Sequence, residues 1–298
     1  MVSMTKLVEL KNSEASAVVL PRHGAGLASF DFLWRGSRLP AFRPLITEPQ
    51  HEHDLALYLL APFSNRIGGG GFAWNGRRHD LRPNVEGEPC PLHGDAWQQH
   101  WTVMDQGRTH VTLQLLSRSI PPFAYDAEIT WTLDGPSLSG ALTLIHRGED
   151  PMPYGGGFHP WLVRDSDTQL HARADGWWSE DSLHLPKRWH ALVDNDSSGF
   201  GAPRSLPSNF FNTVYTGWHG RADIWWPGRG LALQIEAQAP LNRYIVYSPG
   251  AEADFFCFEP VSHDVNAHNA PSPLKHGLVE LAEGESLHLS ARFTATLR

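Results

Sequence analysis

The chain has 298 residues, of which 41% are hydrophobic and 19% are charged, a globular composition without the bias of a disordered chain. Its formal net charge is −8, which argues against a sequence-independent nucleic-acid binder, because such proteins are basic. The length suffices for one large core. No linker or shift in composition marks a boundary, so we predict a single domain over residues 1–298.

The cysteines and the apolar runs indicate the cellular compartment in which we expect the protein. Cys90 and Cys257 lie far apart in the sequence and form neither a C-x-x-C pair nor a disulfide framework, which favours a reducing environment. Residues 1–11 mix apolar with charged side chains and lack the apolar core of a signal peptide. The longest apolar run, residues 55–63, is too short to span a bilayer. We expect a cytoplasmic monomer or homodimer with no nucleic-acid or membrane partner.

Alternation of apolar and polar residues with a period of two predicts strands along most of the chain. Residues 111–115 show it first. Residues 129–133 then lead through the turn Asp134-Gly135-Pro136-Ser137 into residues 140–144, and residues 222–226 lead through 227–230 into 231–235; both are hairpin patterns. No long stretch has a helical apolar stripe. We predict an all-β fold, a large antiparallel β-sandwich with few or no helices.

Two shorter segments also receive an assignment. Residues 194–209 are rich in Ser, Pro, Asp and Asn and are predicted to be a long surface loop. His51 and His53 would share one face of a strand, as a metal-binding pair does. Without a clear third ligand we predict no metal site.

The segment 255–263 contains one carboxylate, Glu259, in an aromatic run that reads as a buried strand ended by Pro260. Burial should raise the pKa of this carboxyl, which would suit a general base working near neutral pH. The structural alternative is a buried ion pair between Glu259 and either Arg66 or Arg243.

Three further segments bear polar side chains beside glycines. They contain Arg66 within residues 62–67, His93 within residues 91–94 and His159 within residues 155–161. Each has a structural alternative. Arg66 could be a solvated charge and His93 a turn cap. His159 could be a structural histidine at a point where Gly155 to Gly157 allow a close backbone approach. The glycine runs match no phosphate-binding motif, and no G-x-S-x-G nucleophile motif occurs.

Together, one His and one Glu, backed by an Arg and a second His as donors, suit a neutral polyhydroxylated substrate. Trp74, Trp161 and Trp218 are candidates for covering the apolar faces of a sugar.

These motifs resemble those of the aldose 1-epimerase family, the galactose-mutarotase-like sugar epimerases, from about residue 10 to the C-terminus. The matching motifs are Asn65-Arg66-Ile67 with Asn75-Gly76, His93-Gly94, the segment around His159-Pro160, and Glu259-Pro260. They occur in family order. The resemblance implies a large antiparallel β-sandwich, which agrees with the alternation pattern. It also implies that His159 is the catalytic acid and Glu259 the catalytic base.

The chain departs from the family pattern in two places. Asn212 stands where many members have an Asp that binds a sugar hydroxyl, and residues 265–269 differ from the usual Pro-Asp-Ala-Phe-Asn. Both differences remove negative charge near the expected sugar site. They leave the acid and base in place, but the preferred sugar is open.

The resemblance implies interconversion of the α and β anomers of a free aldose without a cofactor, with Asn65, Arg66, His93, Asn212 and Trp161 binding the monosaccharide. A hexose-6-phosphate 1-epimerase is an alternative that requires extra basic residues near the pocket; Arg77 and Arg78 are the candidates. A carbohydrate-binding sandwich without turnover is a second alternative. A glycoside hydrolase is less favoured, because it generally needs two carboxylates.

Overall fold

The computed structural model describes residues 7–49, 51–193 and 196–298. Nearly all of its regular structure is strand. The first twelve strands are β1 (Val8–Lys11), β2 (Ala15–Leu20), β3 (Gly26–Trp34), β4 (Ser37–Pro40), β5 (Leu57–Leu60), β6 (Gly71–Trp74), β7 (Arg77–Asp80), β8 (Thr102–Gln106), β9 (His110–Ile120), β10 (Phe123–Asp134), β11 (Ser137–His146) and β12 (Met152–Tyr154).

The remaining twelve strands complete the chain. They are β13 (Gly157–Val163), β14 (Gln169–Ala172), β15 (Gly176–Glu180), β16 (Pro186–Ala191), β17 (Phe200–Ser205), β18 (Phe211–Thr216), β19 (Arg221–Trp226), β20 (Leu231–Ala237), β21 (Arg243–Ser248), β22 (Phe255–Val261), β23 (Val279–Leu281) and β24 (Ser286–Leu297). The helices of the described ranges are single 3₁₀ turns: Glu52–Asp54, Ala96–Gln98, Pro227–Arg229, Ala267–Asn269 and Pro273–His276.

Two large antiparallel sheets form the molecule. The first has eleven strands in the order β1-β2-β3-β5-β13-β22-β21-β18-β15-β16, with β4 paired to β3. The second has nine strands in the order β17-β14-β19-β20-β24-β11-β10-β9-β8. The main hydrophobic core draws side chains from both sheets. The predicted all-β sandwich is therefore confirmed.

The central strands of the larger sheet are buried on both faces, which explains why they are almost wholly apolar. In β22, Phe256 and Phe258 belong to the core between the sheets. Cys257 and Val261 belong to a second apolar cluster, which also contains Tyr58 of β5. Because successive side chains of a strand point to opposite faces, Glu259 lies on the same outer face as Cys257.

The sequence patterns predict some local elements correctly and others wrongly. Both hairpins are present, as β10–β11 with Asp134 opposite Ser137 and as β19–β20. The loop predicted for residues 194–209 is wrong in part, because β17 lies within it. That strand pairs with β14 at the edge of the smaller sheet and is largely exposed, so it has no buried apolar face and its sequence shows no alternation. Asp194 and Asn195 lie outside the described residues.

Two smaller assignments are also corrected. His51 and His53 do not share a strand face, because His53 is inside a 3₁₀ turn that begins after His51. Pro260 does not end the strand, since β22 continues to Val261. Within the part of the chain that the structure describes, none of the helices is long and apolar enough to cross a membrane.

Candidate active site

The candidate site lies on the outer face of the larger sheet, on the adjacent strands β5, β13 and β22. The register pairs His159 with Tyr58 on β5. On the other side of β13 it pairs Gly157 with Val261 and Trp161 with Cys257, which places His159 directly opposite Glu259. The two side chains approach to 3.3 Å between His159 Nε2 and Glu259 Oε1. A central row of the sheet therefore brings together the two residues that the sequence predicts as acid and base.

The close approach of these strands depends on the glycines before His159. A Cβ on Gly157 would lie 2.2 Å from the carbonyl oxygen of Pro260, and one on Gly156 would lie 2.4 Å from that of Leu60. Neither clash could be relieved without moving backbone. The glycine run thus serves strand packing, as its sequence context predicts.

Glu259 is a buried carboxyl with few partners, 2% exposed. Burial raises its pKa from 4.5 to about 8, and the positive charge of Arg66 opposes that shift. Among the described residues, its Oε2 atom has no hydrogen-bond partner. The structural ion pair considered from the sequence is not formed, because Arg66 binds Glu88 and Arg243 binds Asp264.

His159 is also buried and is held in place by aromatic rings. Its imidazole stacks on Tyr58 with 4.3 Å between ring centroids and lies 5.6 Å from the ring of Trp161. Burial, then the nearby His53, lowers the pKa of His159 well below its usual value. Its Nδ1 atom has no partner within the described chain. Both members of the pair thus carry a buried polar atom with unused hydrogen-bonding capacity.

The loop between β5 and β6 is fixed by side-chain acceptors for three successive backbone N–H groups. Ser64 N–H donates to His263 Nε2 at 2.9 Å, and Asn65 N–H donates to His93 Nδ1 at 3.0 Å. Arg66 N–H donates to Asn65 Oδ1 at 2.9 Å. Asn65 has a left-handed backbone with φ +55°, which asparagine tolerates better than most residues. The N-R-I motif is therefore locked by two histidines distant in sequence.

The hydrogen bond to His93 also fixes which ring nitrogen carries its proton. An N–H group can donate only to an unprotonated Nδ1, so the neutral imidazole carries its proton on Nε2. Burial, then His159, lowers the pKa of His93 well below its usual value, which keeps the ring neutral. His93 therefore offers a neutral N–H donor beside the His159–Glu259 pair.

Arg66 is oriented by a second carboxylate. Its Nε donates to Glu88 Oε2 at 2.9 Å, and its Nη2 donates to Glu88 Oε1 at 2.8 Å. Hydrogen bonding to Arg66 lowers the pKa of Glu88. A bidentate pair of this kind fixes the guanidinium plane and neutralises much of its charge.

These side chains share one open cavity of about 520 Å³, which is large enough for a monosaccharide. All seven residues predicted from the sequence line it: Asn65, Arg66, His93, His159, Trp161, Asn212 and Glu259. Arg43 lies over the ring of Trp161 at 4.1 Å. Among the described atoms, Trp161 Nε1 is buried without a partner.

Other residues that were suggested by the sequence lie elsewhere. Trp74 donates to Pro151 O and Trp218 donates to Arg221 O, so both are structural. Asn266 Oδ1 accepts from Gly68 N–H, and Asn269 Nδ2 donates to Gly68 O. The chain that follows β22 thus holds the loop at Gly68 in place.

The structure adds lining residues that the sequence does not assign to the sugar site. They are His53, Tyr58, Val85, Glu86, Gly87, Glu88, Leu92, His184, Phe210 and Tyr247. Tyr58 carried a weak signal as the polar-tipped residue of an apolar run. Tyr247 lies on β21, and the others come from loops and turns whose position only the fold determines.

His159, Cys257 and Glu259 form a cluster of possible metal ligands, with donor atoms within 4.8 Å of one another. Burial, then the Glu259 charge, raises the pKa of the Cys257 thiol well above its usual value. Formation of the thiolate, which a metal would require, is therefore unfavourable. The donor chemistry suits proton transfer better than metal binding.

Comparisons with known proteins show the family of the chain. Residues 6–294 match the family model of aldose 1-epimerase. The uncharacterized protein YphB of Escherichia coli K12 is 31% identical over 239 residues, which cover 78% of this chain and 81% of that protein. The uncharacterized protein YihR of the same organism is 29% identical over 148 residues, 47% of this chain and 45% of that one.

Solved structures show the same fold. A candidate aldose 1-epimerase from Escherichia coli K12 superposes with a TM-score of 0.90 at 28% identity, covering 98% of this chain and 99% of that one. A galactose mutarotase-like protein from Clostridium acetobutylicum gives a TM-score of 0.84 at 16% identity, over 100% and 97% of the two chains. With its sequence matched almost from end to end, the chain belongs to the aldose 1-epimerase family.

Proposed function

We propose that this chain, as a single domain, interconverts the α and β anomers of a free aldose. The observation that carries the proposal is the His159–Glu259 pair. Its two side chains lie 3.3 Å apart on the floor of a sugar-sized cavity. Each keeps a buried polar atom without a partner among the described residues. A sugar hydroxyl and ring oxygen would supply the missing hydrogen bonds.

The reaction needs one base and one acid. Glu259 takes the proton from the C1 hydroxyl while His159 donates a proton to the ring oxygen, so that the C1–O5 bond breaks and the aldehyde forms. Rotation about C1–C2 presents the other carbonyl face. On closure the proton transfers run in reverse, and both residues return to their starting states. General acid and base assistance of this kind each contributes about 10²- to 10⁴-fold.

Burial determines how many protons His159 and Glu259 hold when no sugar is bound, and which of the two residues holds them. With the pKa of Glu259 raised to about 8 and that of His159 lowered, the pair holds one proton near neutral pH, and that proton resides on Glu259. Hydroxyl groups of a bound sugar that donate to the carboxylate lower its pKa. Binding therefore favours transfer of the proton to His159, which creates the base and the acid that the reaction requires.

The neighbouring residues hold the ring and the open chain. The neutral His93 N–H and the Arg66 guanidinium donate hydrogen bonds to sugar oxygens, and Asn65 precedes Arg66 in the loop after β5. Trp161 covers one face of the sugar, and Arg43 stiffens the indole from one side. Holding the reacting groups in place accounts for the remainder of the rate enhancement. The proposed reaction needs no cofactor.

The cavity does not favour a phosphorylated sugar. Arg66 is paired with Glu88, and Glu86 adds a further carboxylate to the lining. Arg77 pairs with Asp150 and Arg78 with Asp80, and neither arginine lines the cavity. A phosphate would therefore meet carboxylates, so free aldoses are expected to react faster than their 6-phosphates.

A binding module without turnover would not need an unpartnered acid–base pair in its floor. Polarimetric decay of freshly dissolved α-sugars tests the proposal with Glu259→Gln and His159→Asn. We expect the unsubstituted protein to accelerate mutarotation and each variant to lose nearly all of that activity while retaining its thermal transition. Normal rates in Glu259→Gln would overturn the assignment, whereas saturable sugar binding without acceleration would support the binding module.

The choice of sugar requires a wider screen. Galactose, glucose, arabinose and fucose, each in D and L form, span the positions at which common aldoses differ. The cytoplasmic location and the monomeric or homodimeric state stay predictions. Both cysteines are free and buried, as expected for a reducing compartment.

A further inference from the structure

We propose that Glu180 determines which sugar the site prefers, because it fixes the orientation of the Asn212 amide at the far side of the cavity. This inference rests on the proposed function and deepens it. It assigns a positioning role to Glu180, which the sequence motifs do not include.

Glu180 connects two residues of the cavity wall, Asn212 and His184. Asn212 on β18 donates from Nδ2 to Glu180 Oε2, at the end of β15, over 3.0 Å. Glu180 Oε1 lies 2.7 Å from His184 Nδ1. Because an ionised carboxylate only accepts hydrogen bonds, it selects the NH₂ group of Asn212 and a protonated Nδ1 on His184. Both orientations are therefore set by Glu180.

The fixed amide leaves its carbonyl oxygen for the ligand. Asn212 and His184 line the same cavity as Glu259. With Nδ2 engaged by Glu180, Asn212 Oδ1 is available as an acceptor for a sugar hydroxyl. The site thus recognises a sugar hydroxyl at this point with a neutral carbonyl oxygen. The negative charge is on Glu180, which binds the nitrogen of the same amide.

The sheet places this acceptor away from the reacting carbon. Asn212 is opposite Tyr247 of β21, and Tyr247 is opposite Cys257 of β22. Two strand spacings of about 4.8 Å each separate the backbones of β18 and β22. A hexose whose C1 lies at Glu259 would therefore present a hydroxyl on the opposite side of its ring to Asn212. Epimers that differ there differ in the direction of this hydroxyl.

Glu180 also restricts which residue can occupy position 212. A carboxylate there would place two negative charges about 3 Å apart, at hydrogen-bond distance, where like charges repel and one must take up a proton. The amide of Asn212 is compatible with Glu180, and an aspartate is not. Exchanging the two chemical groups should restore a compatible pair, with the charge now facing the sugar.

The test uses this exchange. kcat and KM are measured for the aldose panel with the unsubstituted protein, Glu180→Gln, Asn212→Asp and the double variant. Glu86→Gln serves as the matched control, because it removes one carboxylate from the exposed rim of the same cavity. Thermal melting of every variant reports whether it folds.

We expect Asn212→Asp to raise KM by about 10- to 100-fold with little change in kcat, the pattern of lost binding. Glu180→Gln should change KM by a few-fold and alter the ratio of kcat/KM between sugars, because a glutamine no longer dictates the amide orientation. The double variant should recover at least about 10-fold of the affinity and rank the sugars differently. Glu86→Gln should leave that ranking as it is.

Two results would overturn the inference. One is a double variant whose KM equals that of Asn212→Asp, which would show that the two positions are not coupled. The other is a sugar ranking that Glu180→Gln leaves unchanged or that Glu86→Gln changes equally. If Asn212→Asp does not fold, the sugar rankings of Glu180→Gln and Glu86→Gln still decide whether the inference stands.

Failure of the proposed function can be distinguished from failure of the inference about Glu180. If the unsubstituted protein binds sugars without accelerating mutarotation, the proposed function fails, and the same comparison is made with dissociation constants from calorimetry. If the unsubstituted protein binds none of the sugars, both proposals are overturned.

Discussion

Two buried carboxylates in the C-terminal segment have opposite surroundings. Asp264 accepts from Arg243 Nε at 2.6 Å, and its second oxygen lies 2.8 Å from His276 Nδ1. Glu259 has a single neighbour of this kind, His159 at 3.3 Å, and one oxygen without a partner among the described residues. The two are 5% and 2% exposed, so burial alone does not distinguish them.

The difference lies in how each carboxylate is compensated. A buried charge that is paired and hydrogen-bonded stabilises the fold only while its partners remain. A buried carboxyl that lacks a cation responds by raising its pKa, as Glu259 does. Asp264 is therefore expected to serve structure, and Glu259 to exchange protons with a ligand.

The largest effect should come from neutralising Glu259. Glu259→Gln should lower kcat/KM for mutarotation by about 10³-fold, roughly 4 kcal/mol of transition-state stabilisation. The free energy of unfolding at neutral pH should stay equal or rise, because the variant removes a poorly compensated buried carboxyl. Polarimetry and urea titration measure the two quantities. A variant that loses stability and keeps its activity would reverse the comparison.

The matching change at the other carboxylate should act on stability. Asp264→Asn breaks a buried pair and leaves Arg243 without its counter-charge, so we expect a loss of about 3 kcal/mol in the free energy of unfolding. The kcat of the folded fraction should remain within a few-fold of normal. A fall in kcat as large as that of Glu259→Gln would show that Asp264 also takes part in the reaction.

The pH dependence of stability should show the raised pKa of Glu259 directly. Its folded pKa, about 8, exceeds the ordinary 4.5, so the folded state favours the protonated form. This contribution is fully present below pH 4.5 and is lost as the pH rises through 8, with a total of a few kcal/mol. Between pH 6 and 9, Glu259→Gln should therefore lose less stability than the unsubstituted protein in denaturant titrations. Parallel curves would contradict the raised pKa.

The smallest effect is expected at the partly exposed pair of Arg66 and Glu88. Glu88→Gln leaves the guanidinium less firmly oriented and less neutralised, so KM for free aldoses should rise only a few-fold, as for other partly solvated pairs. The ratio of activity on a 6-phosphate to activity on the free sugar should increase, because a carboxylate is removed from the cavity. Rate measurements on both sugars check this, and an unchanged ratio would mean that Glu88 does not exclude phosphate.

The sequence was sufficient for the fold class, and the seven residues that it predicts for the site line one cavity. Alternation with a period of two reflects the pleat of a strand with one wet face, so the hairpins at Asp134–Ser137 and Pro227–Gly230 were readable. The edge strand β17 was not, because an exposed strand has no apolar face to mark it. The candidate site was predicted by unusual local contexts: a carboxylate in an aromatic run, and a histidine after three glycines.

What the tertiary structure alone decided is which of these residues meet. Strand register placed His159 opposite Glu259. Asp264 formed an ion pair with Arg243, and Glu88 formed one with Arg66, so the ion pairs considered from the sequence were not formed. His184 reached the cavity from a loop with no motif, and Glu180, at the end of β15, reached Asn212. Alternation along a strand encodes which face a side chain occupies, but a contact between distant strands depends on register and loop paths, which local patterns do not specify.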